Sequence, residues 1–277
     1  KMDNTFILKL QKSRIYTDFK RNTAAKIIKF FNSKNRFFKL KYKNDNLNRF
    51  YGIKNSSKFD SKENMLEGDW VSLEQAMNIY HLLVQTILLK IPGDVVELGC
   101  FEGTTSILMQ KTLDQFRSLK RLHVYDSFEG LPAKSKKDGN TIFSPGSCKT
   151  NKTRLIKNFK RHKVKLPEIH KGWFADVLPK KLPNKISFAH LDGDFYTSIL
   201  ESLTYVYPKL AKGAVVVIDD YCDPRILNVN NILPGVKRAC DEFFKDKKEK
   251  VNILIAGGES HGYFIKNNTK TVMRAYL

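Results

Sequence analysis

The residues with the clearest chemical potential are four carboxylates in two short clusters. The segment HLDGDFYTS carries Asp192 and Asp194, and VVVIDDY carries Asp219 and Asp220. Each cluster follows a hydrophobic run that reads as a buried strand, and ligands bind at the carboxyl ends of strands in open parallel sheets. Four carboxylates at one edge repel each other unless a cation or a proton is shared among them. Because hard divalent cations such as Mg2+ prefer oxygen ligands of this kind, the pattern predicts a metal site.

A second site is indicated by the loop after the predicted strand 94–98. This loop, GCFEGTT, contains Gly99 and Gly103, which allow a tight strand-to-helix turn and a close approach of the backbone to a ligand. Its spacing matches neither a dinucleotide fingerprint nor a phosphate-binding P-loop. Asp126 ends the next predicted strand, where an acid can accept both ribose hydroxyls of a nucleoside. A nucleoside site without phosphate-binding glycines favours S-adenosylmethionine over NAD or ATP.

Five motifs in this order, PGDVVELGCFEG, VYDSFEGLP, KGWFADVLP, HLDGDFYTS and IDDY, resemble the macrocin O-methyltransferase family. The resemblance runs from about Glu67 to about Phe264. It implies a metal-dependent S-adenosylmethionine enzyme with a Rossmann-like class I methyltransferase fold, of the kind that methylates sugar hydroxyls in bacterial natural products. Glu102 departs from the family pattern, because relatives commonly carry Arg between the aromatic residue and the glycine of this loop.

The resemblance also implies a role for each site residue. Asp192, Asp219 and Asp220 would hold Mg2+, and Asp194 would be the general base. The predicted cofactor-binding residues are Glu97, Gly99, Cys100, Phe101, Gly103, Thr104, Asp126, Ser127, Gly172, Trp173, Phe174 and Asp192. An alternative for Asp192 and Asp194 is that they cap a helix that starts near Phe195, a role that Asp often fills. The second acidic pair at the neighbouring strand end favours catalysis over capping.

The order of predicted elements indicates an α/β fold with two parts. Residues 1–64 read as a basic helical N-terminal extension and linker, and 65–277 as the methyltransferase domain. Strands alternating with helices predict a mostly parallel sheet with right-handed crossovers, and the last two strands predict an antiparallel C-terminal edge. The segment 127–150 exceeds ordinary loop length, which favours an active-site lid over a disordered insertion.

The individual elements follow from hydrophobic periodicity and from helix stop signals. The predicted helices are 73–89, with Ser72 as N-cap, and 104–118, 151–163, 195–210 and 234–246. The predicted strands are 94–98, 122–126, 168–170, 186–191, 214–218, 251–256 and 262–266.

The formal net charge of +21 in 277 residues is the strongest compositional deviation. Much of the excess lies in residues 1–62, where lysines and arginines alternate with aromatic residues. Solvated helix faces are the favoured interpretation, and nucleic-acid binding is disfavoured because no recognised RNA- or DNA-binding signature is present. Contact with an anionic membrane surface or an acidic polysaccharide remains open. The resemblance implies a homo-oligomer, a dimer or higher.

Cysteine usage and hydropathy bear on the cellular compartment. The four cysteines are scattered without the spacing of a zinc site or a disulfide framework, and no apolar run reaches transmembrane length. No secretory signal is visible, so we expect a cytoplasmic enzyme.

The sequence thus predicts methyl transfer from S-adenosylmethionine to a hydroxyl of a sugar or other vicinal diol, with Mg2+ and Asp194. One alternative is a catechol or small-phenol O-methyltransferase in which Mg2+ would chelate the acceptor in the same way. The other is a noncatalytic module that binds anionic surfaces. An RNA methyltransferase, suggested by the charge alone, would show steeply salt-dependent RNA binding.

Overall fold

The computed structural model describes residues 71, 73–225, 233–256 and 259–266. The predictions for residues 1–64 and for Ser72 as N-cap lie outside these described residues. The same is true of 226–232 in the loop that follows Asp220.

The described residues alternate between strands and helices. The helices are α1 (Leu73–Leu88), α2 (Thr104–Gln115), α3 (Lys152–Arg161), α4 (Phe174–Lys181), α5 (Tyr196–Val206) and α6 (Pro234–Phe244). The strands are β1 (Asp94–Leu98), β2 (Leu122–Asp126), β3 (Glu168–Lys171), β4 (Ile186–Leu191), β5 (Leu210–Ile218), β6 (Asn252–Ala256) and β7 (Glu259–Ile265). Two short 3-10 helices lie at Lys136–Asp138 and Tyr207–Lys209.

The strands form one seven-stranded sheet in the order β3-β2-β1-β4-β5-β7-β6. Strands β1 to β5 pair in parallel, whereas β7 pairs antiparallel to both β5 and β6. The predicted α/β class, with a mostly parallel sheet and an antiparallel C-terminal edge, is therefore confirmed.

Burial explains why the central strands could be recognised from the sequence. All six residues of β4 are buried, and so are the last five of β5. Central strands of a parallel sheet are covered on both faces, so they read as nearly continuous apolar runs. The core cluster joins these strands to the apolar faces of α5 and α6, through side chains such as Ile199 and Val236.

Several element boundaries differ from the prediction by a few residues, and one helix was not predicted. The helix predicted over 195–210 ends at Val206, because Pro208 lies in a 3-10 turn that starts at Tyr207, and the chain enters β5 at Leu210. Helix α6 ends at Phe244, two residues early. Helix α4 was not predicted, although Asp176 in its first turn and two lysines in its last turn are helix-end signals.

No helix among the described residues is long and apolar enough to cross a membrane.

Candidate active site

The predicted site residues lie at the carboxyl ends of five adjacent strands, β3, β2, β1, β4 and β5, at one edge of the sheet. Backbone hydrogen bonds continue past the strand ends and lock the loops together. Gly99 N donates to Tyr125 O (2.8 Å), Asp192 N to Leu98 O (2.8 Å) and Asp219 N to Leu191 O (2.9 Å). The expectation that the acids and the glycine loop meet at one edge is confirmed.

An acidic cluster forms at the ends of β4 and β5. Carboxylate oxygens of Asp192, Asp194 and Asp220 all lie within 4.8 Å of one another. Burial, followed by the neighbouring acids Asp219, Asp194 and Asp220, raises the pKa of Asp192 well above its ordinary value. Burial and then Asp219 raise the pKa of Asp194 to about 7. Oxygen donors with strong mutual repulsion fit a hard divalent cation, which would relieve the repulsion.

The structure gives Asp219 different neighbours from the other predicted metal ligands. Its Oδ1 lies 2.8 Å from His261 Nε2 and accepts a hydrogen bond from Gln75 Nε2 (3.3 Å). Although burial opposes ionisation, the charges of His261 and His190 hold the pKa of Asp219 well below its usual range. The acidic cluster in the structure and the predicted set of metal ligands therefore share Asp192 and Asp220. They differ in the third carboxylate, which is Asp194 in the cluster and Asp219 in the predicted set.

Behind the acidic cluster lies a buried polar network that the sequence did not reveal. His190 Nδ1 lies 3.0 Å from Glu97 Oε1, and Glu97 also accepts hydrogen bonds from the hydroxyls of Thr105 and Ser106. Burial lowers the pKa of His190, but Glu97 and Asp219 outweigh this effect and raise it. Glu97 and His190 are fully buried. Glu97 contacts the start of α2 through Thr105 and Ser106, and His190, whose Nε2 lies 3.9 Å from Asp219 Oδ2, connects Glu97 to the acids.

The glycine loop is held close to the acids by backbone packing. Gly99 has φ +87°, and a Cβ there would lie 1.7 Å from the carbonyl oxygen of Asp192. Gly103, with φ +91°, is the N-cap of α2, and its missing side chain leaves space for Leu155. Only glycine combines this backbone conformation with this proximity. The next residue, Thr104, begins α2.

The predicted ribose acid cross-links two loops. Asp126 accepts hydrogen bonds from the backbone N–H groups of Phe101 (2.9 Å) and Phe128 (2.6 Å). Burial raises the pKa of Asp126, and these backbone donors oppose the rise. Each carboxylate oxygen has a second lone pair, so this arrangement leaves acceptor capacity for a ribose hydroxyl.

Two further predicted cofactor residues make local contacts instead of lining an open surface. Ser127 Oγ donates to Gly130 O (3.1 Å) and accepts from Glu129 N (3.0 Å). The Cys100 thiol is buried, and burial raises its pKa well above the ordinary value. A thiol of this kind is unreactive, in line with a packing role.

The predicted adenine segment lies beside the ribose acid, on the neighbouring strand. Gly172 N donates to Asp126 O (2.9 Å) at the end of β3. Trp173 is 41% exposed, and the Phe174 ring lies next to Gly193, where a Cβ would be 3.4 Å from Phe174 Cε2. The structure thus places this segment between the ribose acid and the acidic cluster.

The loops after β1, β2, β4 and β5 each contain a non-glycine residue with positive φ. These residues are Phe101 (44°), Phe128 (57°), Asp194 (56°) and Asp220 (54°). The left-handed region costs most residues about 1–2 kcal/mol, and such strain concentrates at functional sites. No sequence signal marked these positions.

The capping alternative for Asp192 and Asp194 is wrong. Phe195 is the N-cap of α5 and makes no side-chain cap bond. The first helical N–H, of Tyr196, instead donates to Asp138 Oδ1 (2.6 Å), while Asp138 Oδ2 accepts from Ser135 N (2.7 Å). Asp138 belongs to the long segment 127–150, which is thereby fastened to the helix that follows the acids.

Replacement of Asp138 by Ala should destabilise the domain, because α5 loses the carboxylate at its positively polarised N-terminus. Loss of a helix cap costs about 1–2 kcal/mol, which corresponds to a fall of about 2–8 °C in Tm for a domain of this size. Thermal unfolding followed by circular dichroism measures it. Asp138→Asn keeps an acceptor for Tyr196 N and should recover part of the loss. An Asp138→Ala protein that melts like the wild type would contradict this role.

The departure at Glu102 is explained by a contact with α3. Glu102 is buried, and its Oε1 forms an ion pair with Arg154 Nε (2.9 Å) and accepts from Thr150 Oγ1 (3.4 Å). Its backbone oxygen accepts from Asn158 Nδ2 (3.0 Å). This side chain therefore ties the glycine loop to α3.

The sheet order, with five parallel strands and an antiparallel C-terminal edge, defines the class of the fold as Rossmann-like α/β. A model of the macrocin O-methyltransferase family (TylF) matches residues 8–254. The chain belongs to this family. The match starts inside the basic N-terminal segment, well before Glu67, where the resemblance was expected to begin.

Two relatives are named as O-methyltransferases, and the name of the first specifies a rhamnosyl substrate. The chain is 29% identical over 179 residues to 8-demethyl-8-(2,3-dimethoxy-alpha-L-rhamnosyl)-tetracenomycin-C 4'-O-methyltransferase of Streptomyces olivaceus, covering 58% of this chain and 68% of that protein. It is 27% identical over 169 residues to mycinamicin III 3''-O-methyltransferase of Micromonospora griseorubida, covering 56% of this chain and 65% of that protein. The chain thus spans about two thirds of the length of these relatives.

A solved structure supports the fold. The O-methyltransferase NovP is similar with a TM-score of 0.59 and 24% identity, over 70% of this chain and 80% of that one.

Proposed function

We propose that this protein transfers a methyl group from S-adenosylmethionine to a hydroxyl of a sugar or a comparable vicinal diol, with Mg2+ and with Asp194 as the general base. The observation that carries the proposal is the acidic cluster of Asp192, Asp194 and Asp220 beside the glycine loop. The relative whose name specifies a rhamnosyl substrate supports the acceptor class.

Each residue of the site has a distinct role in methyl transfer. In the transfer, a bond forms between the acceptor oxygen and the methyl carbon while the bond from that carbon to sulfur breaks, and the sulfonium leaves as a neutral thioether. The acceptor proton passes to Asp194, which lies in the acidic cluster beside Asp192 and Asp220. Gly99, Gly103 and Asp126 hold the nucleoside so that the methyl carbon faces the acceptor.

We further propose that Asp192, Asp219 and Asp220 hold the Mg2+ ion. When bound, the cation would lower the pKa of a chelated hydroxyl and orient it. Asp192 and Asp220 belong both to the predicted ligand set and to the acidic cluster, and Asp219 adjoins Asp220 at the end of β5. Gln75 and His261 would fix the orientation of Asp219, as partners behind a ligating carboxylate commonly do.

Removal of the metal should separate cofactor binding from catalysis. In an assay with S-adenosylmethionine and rhamnosyl acceptors, we expect EDTA to abolish methyl transfer and added Mg2+ to restore it. Calorimetric titration of S-adenosylhomocysteine should still show binding in EDTA, and should show none with Asp126→Ala. Full activity in EDTA would exclude the metal mechanism, and absence of binding by folded wild-type protein would exclude the methyltransferase proposal.

The same assay tests the alternatives. Turnover of catechols with no turnover of glycosides would favour the phenol O-methyltransferase. Binding to anionic vesicles or acidic polysaccharides without any methyl transfer would favour the noncatalytic module. We also propose a homo-oligomer and a cytoplasmic location; the four cysteines, all free, support the latter.

A further inference from the structure

A second group of potential metal ligands lies on β2 and β3, near the ends of the strands opposite to the acidic cluster. Glu168 is the first residue of β3, and it is the register partner of His123, the second residue of β2. His170 follows two positions later on β3, so Glu168 and His170 point to the same face of the sheet. His123 is the register neighbour of Glu168, so the three side chains meet on this face.

The distances within this group suit a tetrahedral cation. His123 Nδ1 lies 3.4 Å from His170 Nε2 and 3.4 Å from Glu168 Oε2, and all three ligand atoms lie within 4.8 Å of one another. Ligand atoms about 2.0–2.1 Å from a tetrahedral Zn2+ are about 3.3–3.4 Å apart, from the geometry of a tetrahedron. A direct hydrogen bond between two nitrogens is ordinarily shorter, near 3.0 Å.

The surroundings orient both imidazoles as ligands. The second ring nitrogen of His123, Nε2, lies 3.3 Å from Asp94 Oδ2, and Arg121 holds the same oxygen through Nη2 (2.9 Å). A carboxylate behind a histidine places the proton on the outer nitrogen and leaves the inner one as a metal ligand. The ring of His170 stacks on Tyr125, with centroids 4.6 Å apart, which fixes its plane.

Burial favours the neutral, ligating form of His170, because it lowers the pKa of this histidine. His123 is 3% exposed. Glu168 Oε1 pairs with Arg121 (3.1 Å), while Oε2 faces His123. Asp94 and Glu168 thus place two carboxylates beside the histidines, and Arg121 pairs with both of them.

We propose that His123, His170 and Glu168 form a binding site for a borderline divalent transition cation, of which Zn2+ is the type, with water as the fourth ligand. Imidazole nitrogens distinguish this site from the all-oxygen acidic cluster, which suits Mg2+. Strand β3 lies at the edge of the sheet and pairs only with β2 among the described strands. A cation held by both strands would therefore fasten this edge, and the site has a structural role independent of the proposed methyl transfer.

Titration of Zn2+ into the full-length, EDTA-dialysed protein tests the proposal. We expect one equivalent to bind to the wild type and to raise Tm, and His170→Gln to weaken that binding at least about tenfold. His170 is the better variant because it is partly exposed, whereas replacement of the buried His123 also risks the fold. His162→Gln is the matched control, since His162 is a half-buried histidine at the end of α3, outside the group.

A second variant separates the two metal sites. Asp192→Asn should retain the Zn2+ affinity that His170→Gln loses. Equal Zn2+ affinity in His170→Gln and wild type would overturn the proposal, and so would loss of Zn2+ binding in Asp192→Asn alone. Failure of the wild type to bind a stoichiometric equivalent would overturn it as well. None of these outcomes depends on whether the enzyme methylates a sugar.

Discussion

Asp194→Asn is expected to lower kcat by about 100- to 10,000-fold, the usual contribution of a general base. The amide cannot accept the proton of the acceptor hydroxyl at neutral pH. Asn is the suitable replacement because it is nearly isosteric with Asp and, like Asp, tolerates the left-handed backbone that Asp194 adopts at φ 56°. Single-turnover methyl transfer with saturating S-adenosylmethionine and Mg2+ measures the chemical step.

Two controls make this result specific. Calorimetric titration of S-adenosylhomocysteine should give the same affinity for Asp194→Asn and wild type, because the base is not needed to hold the nucleoside. Asp176→Asn removes an exposed carboxylate from the first turn of α4 and should leave kcat unchanged. Wild-type kcat in Asp194→Asn would show that another group takes the proton.

Gly99→Ala is expected to have the largest effect on folding. The backbone at φ +87° costs an alanine about 1–2 kcal/mol, and its Cβ would lie 1.7 Å from the carbonyl oxygen of Asp192. The added Cβ belongs to the loop after β1 and would clash with the backbone of the loop after β4, so the two loops would have to separate. We expect a loss of more than about 4 kcal/mol in the free energy of unfolding and a fall of about 10 °C or more in Tm.

Gly146→Ala separates the two causes of this loss. Gly146 has nearly the same backbone conformation, φ +82°, but a Cβ there meets nothing within 4 Å. It should therefore show only the conformational penalty, about 1–2 kcal/mol. Thermal unfolding of both variants measures the difference. Equal losses in the two variants would mean that the contact between Gly99 and Asp192 does not constrain the loops.

Local patterns in the sequence determined the architecture and the position of the site. The strand DVVEL was predicted with the bounds that the structure shows, because a central parallel strand is covered on both faces, and this one is preceded by Pro92 and Gly93 and followed by Gly99. The acids follow two such strands directly. Since parallel strands end at the same edge, their convergence follows from topology.

The roles of individual residues depended on contacts that are distant in sequence. Asp219 turns toward Gln75 and His261, and residue 75 is 144 positions away. The cap of α5 comes from Asp138, 58 positions before Tyr196, instead of from the adjacent acids. A capping signal in the sequence identifies a suitable residue type but cannot tell which of several carboxylates reaches the helix end.

The sequence by itself thus determined the α/β class, the strand ends that carry the site residues, and the family. These features depend on burial patterns and on motifs that are contiguous in the chain. Only the tertiary structure decided which carboxylates cluster, which backbone positions take positive φ and which histidines meet on β2 and β3. The physical reason is that a side chain selects its partner from whatever the folded neighbours offer within about 3 Å. Those neighbours come from separate segments whose distances the local pattern does not encode.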